Sequence, residues 1–183
     1  FGSNNRYGVF PSISGSWVAS NESFMSEVPA FSNLTLRASY GQVGSQDISD
    51  FAQYATISSG VDYIFGSGQT LVPGSTYLNS GNSNLRWEVT TQTNIGLDLG
   101  FLDNRLSFMM DYYIKNTDDI LVQLPVPTTS GIRRTNGPFV NAGSLQNKGF
   151  EFSANYQNKA LGDFSYSLSA NISTNKNRVT SLN

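Results

Sequence analysis

Residues 84–101, NLRWEVTTQTNIGLDLGF, keep a two-residue rhythm for roughly three times the length of an ordinary strand. Leu85, Trp87, Val89, Thr91, Thr93, Ile95, Leu97, Leu99 and Phe101 occupy the odd positions. Arg86, Glu88, Thr90, Gln92, Asn94, Gly96, Asp98 and Gly100 occupy the even ones. A period of two sends alternate side chains to opposite faces of a strand, so one face is apolar or β-branched and the other polar. Either lipid or a second layer of protein must cover the apolar face, and that choice decides the fold.

The rhythm recurs. Tyr7, Val9, Ile13 and Trp17 oppose Ser12, Ser14 and Ser16. Leu34, Leu36, Ala38 and Tyr40 oppose Thr35, Arg37 and Ser39. Leu106, Phe108, Met110, Tyr112 and Ile114 oppose Ser107, Asp111 and Lys115. Phe150, Phe152, Ala154 and Tyr156 oppose Glu151, Ser153 and Asn155. Phe164, Tyr166, Leu168, Ala170 and Ile172 oppose a run of serines and Asn171. About six strands follow, with at most a helical turn around NESFMSE.

Their connections alternate in length. LDNR after Phe101 and NKALGD after Asn158 are short and rich in turn residues. Residues 44–84 and 116–145 form two long polar loops, and loops beyond about 15 residues are usually functional. Short turns at one end and long loops at the other are the asymmetry of an outer-membrane barrel. The stretch 85–101 spans about 56 Å extended, or about 40 Å when tilted, enough to cross an apolar band of about 25 Å. Aromatics near the strand ends suit membrane interfaces, where rings meet hydrocarbon and water together. The competing arrangement is a sandwich core. On the membrane reading, Trp87, Ile95, Leu97, Leu99, Phe108, Phe150, Phe152, Tyr166 and Leu168 face lipid. Glu88, Asp98, Asp111 and Glu151, with Arg37 and Lys148, are assigned to the lumen, where charge costs least.

Composition narrows the chemistry. Charged residues are 13 % of the chain against about 25 % in a typical soluble domain, while aromatics reach 13 %, so the chain is ordered and poor in surface charge. A net charge of −2 with scattered Lys and Arg excludes a phosphate-tracking nucleic-acid surface. With no Cys and no His, thiolate sites, the commonest general base and the commonest metal ligand are missing. No cofactor or catalytic residue is assigned. No apolar run reaches the length of a transmembrane helix. FGSNNRYGVF opens in mid-pattern without a basic-apolar leader and reads as an interior piece of something longer.

Three features carry candidate sites. Asp118 and Asp119, beside Asn116, offer oxygen ligands for a cation or form a solvated strand end. In the first long loop, Phe51, Tyr54, Tyr63 and Phe65 either stack on sugar faces and dock a partner, or pack the loop onto its neighbours. In the second, Pro125-Val126-Pro127 and the pair Arg133 and Arg134 either contact a partner or make a stiff turn with solvated arginines.

Five segments carry a resemblance: NRYGVFPSISGSW (5–17), LTLRASYGQVG (34–44), NSNLRWEVTTQTNIGLDLGFLDNRLSFMMDYYIKNTDDIL (82–121), VNAGSLQNKGFEFSANYQN (140–158) and NISTNKNRV (171–179). They are similar to the C-terminal half of the SusC/RagA family, TonB-dependent outer-membrane transporters of Bacteroidota. LRWE-TTQTNIGLD and NAGS-NKGFE are the most specific. The resemblance implies an all-β fold: an antiparallel transmembrane β-barrel segment, about six long strands of a 22-stranded barrel. It makes 1–183 a partial barrel domain lacking the plug and the TonB-binding segment. It implies import of oligosaccharides or peptides with a SusD-like surface lipoprotein, energised through TonB, in the outer membrane of a Gram-negative bacterium. The alternative from another class is a secreted β-sandwich adhesin or carbohydrate-binding module. An outer-membrane enzyme is weaker still, given the missing His.

Overall fold

The computed structural model describes residues 1, 5–28, 30–131, 137–158 and 164–182. Six strands form its main sheet: β1 (Ser12–Val18), β2 (Asn33–Ser45), β3 (Glu88–Phe101), β4 (Leu106–Asp118), β5 (Ser144–Asn158) and β6 (Tyr166–Ser181). All pair antiparallel, and spatial order follows chain order. Among the described residues no helix is long and apolar enough to cross a membrane, a test that does not bear on strands. The expected helical turn is two 3₁₀ turns, Ala19–Asn21 and Ser23–Met25.

Register turns the sequence rhythm into two surfaces. One rung across the sheet reads Trp17, Leu36, Leu97, Met110, Phe152 and Ile172, and the next toward the long loops reads Gly15, Ala38, Ile95, Tyr112, Phe150 and Thr174. On the opposite face, the rung between them reads Ser16, Arg37, Gly96, Asp111, Glu151 and Ser173.

The apolar surface is uncovered. Among the described residues the buried hydrophobics are Ala19, Ala52 and Leu85 alone, while Ile95, Leu168 and Ile172 are 58 %, 65 % and 64 % exposed. A sandwich would press those aliphatics against a second sheet about 10 Å away, and among the described residues no second sheet covers them. Among the described residues β1 and β6 each pair on one side only. An open edge in hydrocarbon would leave backbone groups unsatisfied, so a sheet of this kind crosses a membrane only as one section of a larger barrel wall.

The two ends differ in chemistry. At the short-turn end, Phe31, Phe101, Phe108 and Phe152 form a chain of ring contacts with centroids 5.0–5.9 Å apart. Tyr156 of β5, Tyr166 of β6 and Phe164 just before β6 form a second run of rings, with centroids 6.0–6.1 Å apart. Trp17 leans on Phe24 and donates its indole N–H to the Glu22 carboxylate at 3.0 Å, giving an apolar body and a tethered polar tip. The turn 102–105 holds Leu102, Asp103 and Asn104 all at positive φ. Asp and Asn accept that conformation readily, and Leu102 is carried by the Asp103 N–H bond to Ser32 Oγ at 2.8 Å.

At the other end, the connections 46–87 and 119–143 are partly structured rather than plain loops. The first holds two small ribbons, Thr56–Ser59 with Ser75–Asn79 and Tyr63–Phe65 with Thr70–Val72. The second holds Leu121–Gln123 paired with Phe139–Asn141.

Candidate lumen patch and outer loop clasp

The polar face carries one charged constellation. Arg37 on β2 forks onto Asp98 of β3, with Nε and Nη2 each 2.8 Å from a carboxylate oxygen, and Nη2 also reaches Asp111 of β4 at 3.1 Å. This bidentate geometry is the strong form of an arginine–carboxylate contact, and it ties three strands together from the inside. Glu151 of β5 stands directly opposite Asp111 without a cation of its own among the described ion pairs. One positive charge faces three negative ones, so the patch attracts cations. Arg37, Asp98, Asp111 and Glu151 lie on the polar face, as the rhythm predicts.

Gly96 makes the constellation possible. A Cβ there would stand 2.6 Å from Asp111 Oδ1 and 2.7 Å from the Arg37 guanidinium. Gly15, on the other face, has open space. Gly96→Val is therefore expected to lower the stability of the full-length barrel by about 1–2 kcal/mol in urea unfolding, while Gly15→Ala changes nothing. Equal midpoints for both variants would show that the triad contributes nothing.

Lys148 is a correction. It pairs with Ile114 and shares parity with Phe150 and Phe152, so it stands on the apolar face rather than on the lumen side. Near the edge of an apolar band the cost of a cation falls to about 0–1 kcal/mol, which is what permits it there.

The two most distinctive motifs meet at the roots of the long loops. Asn141, from NAGS, accepts a hydrogen bond from the Arg86 N–H at 2.9 Å, and its amide donates to the Arg86 carbonyl at 2.8 Å and the Asp119 carbonyl at 2.9 Å. Arg86, from LRWE, also pairs with the Asp119 carboxylate at 2.7 Å. Glu88 accepts the Leu121 N–H at 3.2 Å, and Asn82 donates to the Phe139 carbonyl at 2.9 Å. Asp119 is thus a clasp partner rather than half of a cation site, and among the described residues no cluster of three acidic, His or Cys ligands exists. Leu85 is fully buried beneath this clasp. The sequence reading missed Asn82 and Asn141; their signal was the motifs themselves.

Trp87 keeps the parity of Val89 and Ile95 and lies half-buried between Phe1, stacked at 5.0 Å, and the edge of Phe10 at 5.6 Å. Its indole donates to the Asn5 carbonyl, while the Asn5 amide donates to the Leu85 carbonyl. Trp87 therefore fastens the N-terminal segment to the loop roots.

Above the clasp, Phe51, Tyr54, Tyr63 and Phe65 are each more than half exposed, so the loop does not bury its own rings. Tyr63 and Phe65 come together with centroids 5.0 Å apart, on the same side of their ribbon. No ring contact joins them to Phe51 or Tyr54 among the described residues. Arg133 and Arg134 lie outside the described residues.

Comparison with known proteins follows the same lines. The TonB dependent receptor-like β-barrel family model matches residues 1–182. The chain is 38 % identical over 182 residues to TonB-dependent receptor P3 of Formosa agariphila, covering 100 % of this chain and 18 % of that protein. It is 38 % identical over 190 residues to TonB-dependent receptor SusC of Bacteroides thetaiotaomicron, with the same two shares. Its structure superposes on a chain of the RagAB peptide importer with a TM-score of 0.83 at 32 % identity, covering 100 % of this chain and 19 % of that one. The chain thus spans under a fifth of the length of these relatives, which are receptors and transporters rather than enzymes. The one-sided sheet, the motif-built clasp and these likenesses together make the chain a member of the TonB-dependent receptor β-barrel family, of the SusC and RagA kind.

Proposed function

We propose that these strands are part of the wall of an importer that takes up oligosaccharides or peptides with a SusD-like lipoprotein. In this reading the plug, the TonB-binding segment and the remaining strands belong to the rest of the polypeptide. Ile95, Leu97, Leu99, Phe108, Phe150, Phe152, Tyr166 and Leu168 meet lipid. The strands perform no chemistry; they enclose the path, and their loops meet cargo and lipoprotein. One observation carries the proposal: both long connections spring from the same end of the wall and are braced by the Asn141 clasp. Exposed Tyr63 and Phe65 on such a braced support are suited to stacking on a sugar or docking a protein.

The test is deletion of residues 56–79, both small ribbons, from the full-length transporter. The barrel is expected to assemble at a normal level while co-purification with its lipoprotein and uptake of cargo fall about tenfold or more. Oligosaccharide and peptide uptake, measured separately, distinguish the two cargoes. Undiminished capture and uptake would sink the proposal.

A further inference from the structure

The corrected position of Lys148 leaves a group of cations that the transport reading does not use. Lys148 and Lys176 are direct register partners on β5 and β6. Both share the face of Phe150, Phe152 and Ile172, so two ammonium groups stand side by side on the apolar surface. Arg178, two residues beyond Lys176 and opposite Gln146, adds a third cation to that face. Like charges directly opposite each other destabilise an antiparallel pair.

Among the described residues no carboxylate pairs with them. The described ion pairs use Arg37 and Arg86 only. Glu88, Asp98, Asp111 and Glu151 stand on the opposite face, and Asp118, which shares the parity, lies four residues beyond the Ile114 rung, opposite Val89.

Their height is specific. Lys148 and Lys176 share a rung with Ile114, Thr93, Tyr40 and Ile13. The next rung toward the loops, Gln146, Asn116, Thr91 and Gln42, is polar. From Lys148 down β5 to Asn158 the strand covers about 34 Å, or about 24 Å when tilted, which matches an apolar band of about 25 Å. The cations therefore mark the upper boundary of the band, on the long-loop side, which faces outward in such barrels. A lysine there lays its methylenes on hydrocarbon and lifts its ammonium to headgroup level.

We infer that Lys148, Lys176 and Arg178 hold a phosphate of an outer-leaflet lipid against the outside of the barrel. A phosphate between the two ammonium groups accepts charge-assisted bonds from both and removes their mutual repulsion. This rests on the reading that the apolar face meets lipid, and goes beyond it by naming the headgroup chemistry.

The full-length protein, extracted from membranes in detergent and stripped of lipid, is offered lipid A, dephosphorylated lipid A, or lipid A with excess inorganic phosphate, and bound lipid is counted by native mass spectrometry. The wild type is expected to retain lipid A, to discard the dephosphorylated form, and to hold its lipid against inorganic phosphate. Lys148→Gln/Lys176→Gln should lose retention about tenfold. Lys148→Arg/Lys176→Arg and the lumen-side Lys115→Gln should keep it. Equal retention by the Gln variant, as when a carboxylate on the strand following β6 neutralises the pair, would overturn the inference. So would equal retention of dephosphorylated lipid, or displacement by phosphate alone. Recovery of the protein in the soluble fraction without detergent would instead remove the membrane placement on which it rests.

Discussion

Arginine at Leu97 is expected to stop barrel assembly, at a cost of about 2–4 kcal/mol near the middle of the bilayer, and arginine at Ile95, one rung nearer the boundary, to hinder it less. Both residues lie on the apolar face, Leu97 at one of the two central rungs of the band and Ile95 one rung nearer the Lys148 boundary. Ile95 is more than half exposed, so the effect cannot come from crowding within the chain. It comes from placing a guanidinium in hydrocarbon. Gln92→Arg and Asn94→Arg, on the other face of the same strand, should assemble normally, because that side meets water or other polar groups. The measurement is the fraction of full-length protein that folds into lipid vesicles, read against urea. Equal damage from both faces would mean that protein covers the apolar side after all.

Asn141→Ala should release the roots of the long connections while leaving the wall intact. Its side chain makes three hydrogen bonds, to both backbone groups of Arg86 and to the Asp119 carbonyl. At about 0.5–1.5 kcal/mol each, their joint loss comes to about 2–3 kcal/mol of local stability. Amide exchange at Arg86 and Leu121 is then expected to accelerate about 30- to 150-fold. Exchange at Ile95, deep in β3, should not change. Unchanged exchange at Arg86 would show that the Arg86–Asp119 ion pair alone closes the joint.

The wall was legible in the sequence because an apolar face on one side and a polar face on the other impose a period of two that no other requirement disturbs. β3, β4 and β5 appear where Leu97, Phe108 and Phe152 place them, and the short-turn end is where Asp103 and Asn104 point. Lys148 is grouped with the lumen charges although its parity is that of Phe150. Counting from Phe150 puts it on the apolar face, and only the register with Ile114 shows that it lies at the rim. The rhythm begins before the strand does: residues 85–87 follow the parity, yet Arg86 joins the clasp and Trp87 holds the N-terminal segment. The ribbon around Tyr63 and Phe65 left no signal, since three-residue strands are too short for alternation to register. Asn141 looks like any loop asparagine until Arg86, fifty-five residues away, is brought beside it.

Neighbouring strands in space are also neighbours along the chain, and this orders events while the wall is being built. Closing a chain segment costs entropy that grows slowly with its length. The connection 46–87 is roughly ten times longer than the turn 102–105, which puts its extra cost at about 2 kcal/mol. The β3–β4 and β5–β6 pairs are therefore the cheap nuclei, and the seams beneath the long connections are stitched afterwards. The longest connections are thus the slowest stitches in the garment.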